Sequence, residues 1–222
     1  MKIPFCTPDI DQIDKDGVSS VLDSQWLTGG LKTVEFEKKF AEYVGTKYAF
    51  AVNSCTAALH LSMRALDIGE GDEVIVPTLT FAATANAPLF CGAKPIFADI
   101  DEKTFDISPR SIEEKITPKT KAIIVVHHSG NPCDMDEILE IAKEHHLNVV
   151  EDCAHSLGAT YKNKQTGSLA KMGCFSFYPT KNITTGEGGM VTTDDEQIAK
   201  RVSLIRSHGV SREALERSSG SW

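Results

Sequence analysis

No apolar run in this 222-residue chain approaches the ~20 residues needed to carry a helix across a bilayer, so no membrane-spanning helix is expected. Positive charge is in deficit: 23 Lys and Arg stand against 31 Asp and Glu, a formal net charge of −8, which argues against a nucleic-acid binder dominated by phosphate contacts. Paired cysteines are missing. Cys6, Cys55, Cys91, Cys133, Cys153 and Cys174 are scattered, with no C-x-x-C, and read as small buried residues rather than disulfides. Cys133 and Cys153 with His127-His128 lack the paired ligand spacing of a zinc site, and no metal is expected. There is no G-x-x-x-x-G-K-[ST], and no G-x-G-x-x-G at the first strand-helix junction, so neither a P-loop nor a dinucleotide fingerprint is supported. Met1-Lys2-Ile3-Pro4-Phe5 lacks the apolar stretch of an export signal, and a cytoplasmic location is expected.

What is there is ordinary in bulk and specific in places. Hydrophobic content of 41% and charged content of 24% fit a globular protein with one large domain. Helical periodicity marks residues 9–24, then a stretch from Val34 to Val44 closed by Gly45. Short apolar strands follow at 48–52, 73–76, 94–100, 121–126 and 147–150. Helices are expected between them, opening at Ser54, at Thr78, at Ser108-Pro109 and at Asp134. Further strands are expected at 174–177 and 189–193, and a last helix over 194–207. Strands alternating with helices predict an α/β fold, a mostly parallel central sheet flanked by helices.

In such sheets ligands bind beyond the carboxyl ends of the strands. Those ends carry Asn53-Ser54-Cys55-Thr56, Pro77-Thr78-Leu79-Thr80-Phe81, His127-His128-Ser129-Gly130, Glu151-Asp152 and the run from Ser176 to Lys181. Ser54-Cys55-Thr56-Ala57 suits either a plain helix cap or a phosphate bound at a helix N-terminus. Asp152 is a salt-bridge or capping carboxylate, or the partner of a protonated ring nitrogen. Phe81 is a core aromatic, or a ring that stacks on a planar ligand. Lys181 sits among small residues between two strand-like segments, where it is a surface charge or a nucleophile able to form a Schiff base. Glu187, within Gly186-Glu187-Gly188-Gly189, is a catalytic carboxylate or, the favoured reading, a structural one bonded to nearby backbone N–H groups. The glycines around it read as a turn returning the chain to the sheet.

Ser176-Phe177-Tyr178-Pro179-Thr180-Lys181-Asn182 with Gly186-Glu187-Gly188-Gly189, preceded by Glu151-Asp152-Cys153-Ala154-His155, resembles the sugar aminotransferases of the DegT/StrS type. These are fold-type-I enzymes that use pyridoxal 5'-phosphate (PLP). The resemblance extends over Trp26 to Gly30, Asn53 to Leu61, Gly71 to Pro77, Pro95 to Asp101, His127 to Asp136 and Arg206 to Gly209. It implies that Lys181 carries PLP and later shuttles a proton, and that Asp152 keeps the pyridine nitrogen protonated. Phe81 would stack on the ring. Thr56, Ala57 and Ser176 would bind the phosphate. His155 would lie near the phenolic oxygen, where many relatives have glutamine. The implied reaction moves an amino group from an amino acid, glutamate, to a nucleotide-linked keto sugar, a 4-keto-6-deoxy hexose, at a site shared across a homodimer. A related PLP sugar dehydratase has histidine at the lysine position, so Lys181 disfavours that alternative; a regulator retaining the fold is another. The chain stops at Ser218-Ser219-Gly220-Ser221-Trp222. Residues 1–222 are therefore expected to be the PLP-binding large domain of a truncated protein, without the small carboxyl-terminal domain of such enzymes.

Overall fold

The computed structural model describes residues 3–4 and 6–210; the Ser218–Trp222 terminus, and Met1, Lys2 and Phe5, lie outside the described residues. Two helices lead in. The first, α1 (Gln12–Asp23), is capped by Asp11, whose carboxylate accepts the Asp14 N–H while Asp14 accepts the Asp11 N–H. This capping box starts the helix two residues after the Pro8-Asp9 cue, because it satisfies amide donors that the first turn leaves unpaired. The second, α2 (Leu31–Val44), ends on Gly45 at φ 84°, a left-handed cap that glycine takes without a Cβ clash.

The chain then alternates: β1 (Tyr48–Val52), α3 (Cys55–Ala65), β2 (Glu73–Pro77), α4 (Ala82–Phe90), β3 (Lys94–Ala98), α5 (Pro109–Lys115), β4 (Thr120–Val126), α6 (Met135–Glu144) and β5 (Asn148–Asp152). A two-stranded ribbon, β6 (Thr160–Tyr161) with β7 (Lys164–Gln165), precedes β8 (Met172–Ser176), β9 (Gly189–Thr193) and α7 (Glu196–Arg206). The seven-stranded sheet runs β1-β9-β8-β5-β4-β2-β3. Strand β9 alone is antiparallel to its neighbours β1 and β8; the other pairings are parallel.

Alternation along the strands divides the core. Val74, Val76, Ala122, Ile124 and Val150 pack with Leu59 and Met63 of α3 and Val202 of α7. Ile75, Ile123, Val125 and Val149 point the other way, onto Ile112 of α5 and Met135 and Ile138 of α6. Phe40 of α2 meets Phe175 and Phe177 in edge-on ring contacts at 4.9 and 5.5 Å. Helices thus cover both faces, and the expected α/β fold with a mostly parallel sheet is the observed one.

Two local expectations change. The helix expected from Thr78 begins only at Ala82, because the backbone beyond β2 stays extended: the Thr78 N–H donates to Ala98 O at 2.9 Å, and Phe81 is an extended cap residue. Residues 78–81 are thereby left at the sheet edge. The β6–β7 ribbon was not expected. Its turn residues Lys162 and Asn163 both have positive φ, at 48° and 68°, the backbone a tight two-residue hairpin needs.

Candidate functional site

The parallel strands end on one edge of the sheet, and a cavity of about 680 Å³ opens there. Six segments supply most of the lining: Ser54 to Thr56 at the start of α3, Leu79 to Phe81 after β2, His128 after β4, Asp152 with Ala154 and His155 at the end of β5, Ser176 to Lys181 from the end of β8, and Glu187 with Gly188 just before β9. Of the residues singled out from sequence, Thr56, Phe81, Asp152, His155, Ser176 and Lys181 share this lining. Ala57 lies outside it, and its N–H donates to Ser54 Oγ at 3.1 Å.

Asp152 forms the floor. It is 5% exposed and takes three contacts: Thr84 Oγ1 donates to Oδ2 at 2.8 Å, the Ala154 N–H donates to Oδ1 at 3.2 Å, and Cys55 Sγ approaches Oδ1 at 3.8 Å. Burial pushes the carboxyl above its ordinary range, while the Thr84 and Ala154 hydrogen bonds pull the other way. Burial first, then the Asp152 charge, holds the Cys55 thiol well above its usual value, so it stays an S–H.

Phe81, in the same lining, is 79% exposed. Lys181 is half-buried on a loop held by its own main chain. The Lys181 N–H donates to Tyr178 O at 2.9 Å, the Phe177 N–H to Gly188 O at 2.9 Å and the Thr185 N–H to Phe177 O at 3.0 Å. His155 lines the same cavity; burial, then the nearby Lys181 charge, lowers its pKa and favours the neutral imidazole. At the α3 end the chain is close-packed. A Cβ at Gly189 would fall 2.5 Å from the Ser54 carbonyl carbon, so the start of β9 can abut the helix N-terminus only as glycine. Gly186 turns the loop at φ 79°. The expectation for Glu187 changes: its side chain is exposed at the cavity, and it is its main-chain oxygen that is bonded, by Thr185 Oγ1 at 2.9 Å.

Behind Asp152 lies a network that sequence reasoning missed. Glu151, fully buried, accepts from the N–H groups of Gly167, Leu169 and Ala170, each at 2.8 Å, and lies 3.0 Å from His127 Nε2. The Cys133 N–H donates to His127 Nδ1 at 3.1 Å, which puts the ring hydrogen on Nε2, facing Glu151. Ligand-type atoms of His127, Glu151 and Cys153 lie within 4.8 Å of one another. Both Glu151 oxygens and both His127 nitrogens are already engaged, so the cluster reads as a packed hydrogen-bond network that ties β5 to the 167–170 loop. Thr84 was also missed; its signal was the spacing of Thr80 and Thr84, one helical turn apart.

A family profile described as the DegT/DnrJ/EryC1/StrS aminotransferase family matches residues 8–221. The chain is 50% identical over 222 residues to the spore coat polysaccharide biosynthesis protein SpsC of Bacillus subtilis strain 168, covering 99% of this chain and 57% of that protein. It is 48% identical over 210 residues to GDP-perosamine synthase of Caulobacter vibrioides, covering 94% and 57%. A solved aminotransferase of Psychrobacter cryohalolentis superposes with a TM-score of 0.91 at 46% identity, over 96% of this chain and 55% of that one. A GDP-4-keto-6-deoxymannose-3-dehydratase holding a trapped PLP-glutamate geminal diamine does so with a TM-score of 0.91 at 36% identity, over 96% and 57%. The chain therefore spans less than two thirds of the length of these relatives.

Proposed function

Because the chain belongs to the DegT/DnrJ/EryC1/StrS aminotransferase family, we propose that it binds PLP and carries the cofactor site of an enzyme that moves an amino group from glutamate to a nucleotide-linked keto sugar. The observation that supports this most is that Asp152 and Lys181 line one cavity: a buried carboxylate, and a half-buried lysine on the loop after β8. A carboxylate so placed is costly without a cationic partner, and a protonated pyridine nitrogen is one.

The cavity fits PLP in three further ways. The exposed Phe81 ring offers a stacking face. First-turn N–H groups of α3, beside Thr56 and Ser176, offer an anion seat at a helix N-terminus. Ala57 joins that seat only if Ser54 releases its N–H. Neutral His155 offers a hydrogen bond to a ring oxygen without adding a second cation beside Lys181.

When bound, PLP supplies an electron sink for the carbon–hydrogen bond broken during amino transfer. The residues do the rest. Asp152 would keep the ring nitrogen protonated. The Lys181 amine would hold the cofactor and, once freed, would carry the proton to and from the substrate carbon. The keto sugar is read as a 4-keto-6-deoxy hexose on a nucleotide, in line with the GDP-sugar named for GDP-perosamine synthase and the GDP-4-keto-6-deoxymannose named for the dehydratase. Residues 1–222 are read as the large domain, paired in a homodimer.

The dehydratase relative motivates a second outcome, loss of a hydroxyl rather than gain of an amine. Incubation of the protein with PLP, glutamate and a panel of nucleotide keto sugars separates the two. Aminated sugar from the wild type, and none from Lys181→Ala, is the expected result. A deoxygenated sugar with no nitrogen gained would replace the aminotransferase reading.

A further inference from the structure

Thr84 is fully buried in the first turn of α4, at the edge of the cavity but not in its lining. Its hydroxyl sits between two groups, Asp152 Oδ2 at 2.8 Å and Thr80 Oγ1 at 2.7 Å. A hydroxyl has one proton to give. With Asp152 ionised, Thr84 spends that proton on the carboxylate, so Thr80 must donate to Thr84. The chain of donors therefore runs one way, from Thr80 in the cavity lining through Thr84 to Asp152. A proton on Oδ2 would turn the Thr84–Asp152 bond round, and the charge-assisted direction is the stronger one.

We propose that Thr84, itself oriented by Thr80, is the positioning residue that holds Asp152 ionised and aimed into the cavity. The inference rests on reading Asp152 as the partner of the cofactor's nitrogen. Its geometric basis is independent of that reading. Thr84 fixes Oδ2 from α4, while the Ala154 N–H fixes Oδ1 from the chain beyond β5. The carboxylate is thus gripped at both oxygens by two elements, and its plane cannot turn without breaking one bond. Thr80 lies in the extended segment before α4, within hydrogen-bond reach of Thr84 in its first turn.

The titratable groups around Asp152 are Cys55 from α3, His127 after β4, Cys153 and His155 after β5 and Cys174 from β8, with Lys181 in the lining of the same cavity. The three thiols are held above their usual range by burial and stay neutral. Among the described residues, the neutral hydroxyl of Thr84 comes first among the influences that lower the Asp152 pKa, ahead of either histidine.

The test is a carboxyl carbon-13 titration of Asp152 in the PLP-free protein, assigned with Asp152→Asn, beside PLP affinity at neutral pH. Thr84→Val keeps the shape and removes the donor. It should move the Asp152 midpoint up by about one pH unit and weaken PLP binding about tenfold, as loss of a hydrogen bond to a charged group does. Thr84→Ser should restore both, and Thr80→Val, which leaves Thr84 in place, should give a smaller shift of the same sign. An unchanged midpoint in Thr84→Val and Thr80→Val, or Ser behaving as Val, overturns the proposal. Failure of the wild type to take up PLP would sink the cofactor reading instead, and the titration of the empty protein would still decide the role of Thr84.

Discussion

At the scale of single residues, Asp152 sets a conflict between stability and function. Burial raises its folded-state pKa above the unfolded value. Its favourable contribution is then complete below the unfolded pKa and is lost as pH rises through the folded one. An empty site therefore pays for an ionised Asp152 at neutral pH. Asp152→Asn should raise the melting temperature of the PLP-free protein at pH 7 to 8, and leave it nearly unchanged near pH 4. The same variant should lose at least about a hundredfold in amino transfer, since a neutral amide cannot hold a ring nitrogen protonated. A melting temperature lowered at both pH values would mean that Asp152 is a structural carboxylate after all. Lys181 is different in kind: it sits on a loop held by main-chain bonds, so Lys181→Ala should cost activity with little change in stability, read by thermal melting.

At the scale of elements, the site is a product of strand ends and of what pins them. Glu151 joins β5 to the 167–170 loop through three backbone donors and His127. Glu151→Gln would turn an amide NH₂ against one of those donors and should cost about 3 kcal/mol by denaturant unfolding. A loss below about 0.5 kcal/mol would show that the loop does not depend on it. Gly189→Ala should cost about 1–3 kcal/mol and weaken PLP binding, because the added carbon meets the Ser54 backbone. Much of this scale was legible in the chain. The strand at Tyr48–Val52 has the expected bounds, Gly45 closes α2, and Ser108 caps α5, because period and capping are local properties. Long-range bonds were not legible. Helix α4 starts late because Thr78 bonds to Ala98, and Glu151 reads as one of a pair of acids until the 167–170 loop folds over it. That Lys181, Asp152 and Phe81 gather at one sheet edge was legible from strand-end placement; the part of Thr84 was not, since it depends on a contact 68 residues away.

At the scale of the molecule, apolar surface remains uncovered. No residue of α1 is buried, and Ile13, Val18 and Leu22 stand more than half exposed, as do Leu27 and Leu31 beyond it. Such a face needs a cover that the described residues of one chain do not provide. Homodimerisation is part of the proposed function, and sedimentation at micromolar concentration should give twice the chain mass with PLP present. A monomer with full activity would remove the dimer from the account. No helix among the described residues is long and apolar enough to cross a membrane. The central claim is that the cavity at the sheet edge holds PLP through Lys181. Borohydride reduction of the PLP-loaded protein followed by peptide mass mapping tests it directly: the pyridoxyl label should fall on Lys181 and be absent from Lys181→Ala, whereas a label on another lysine, or none, would contradict it.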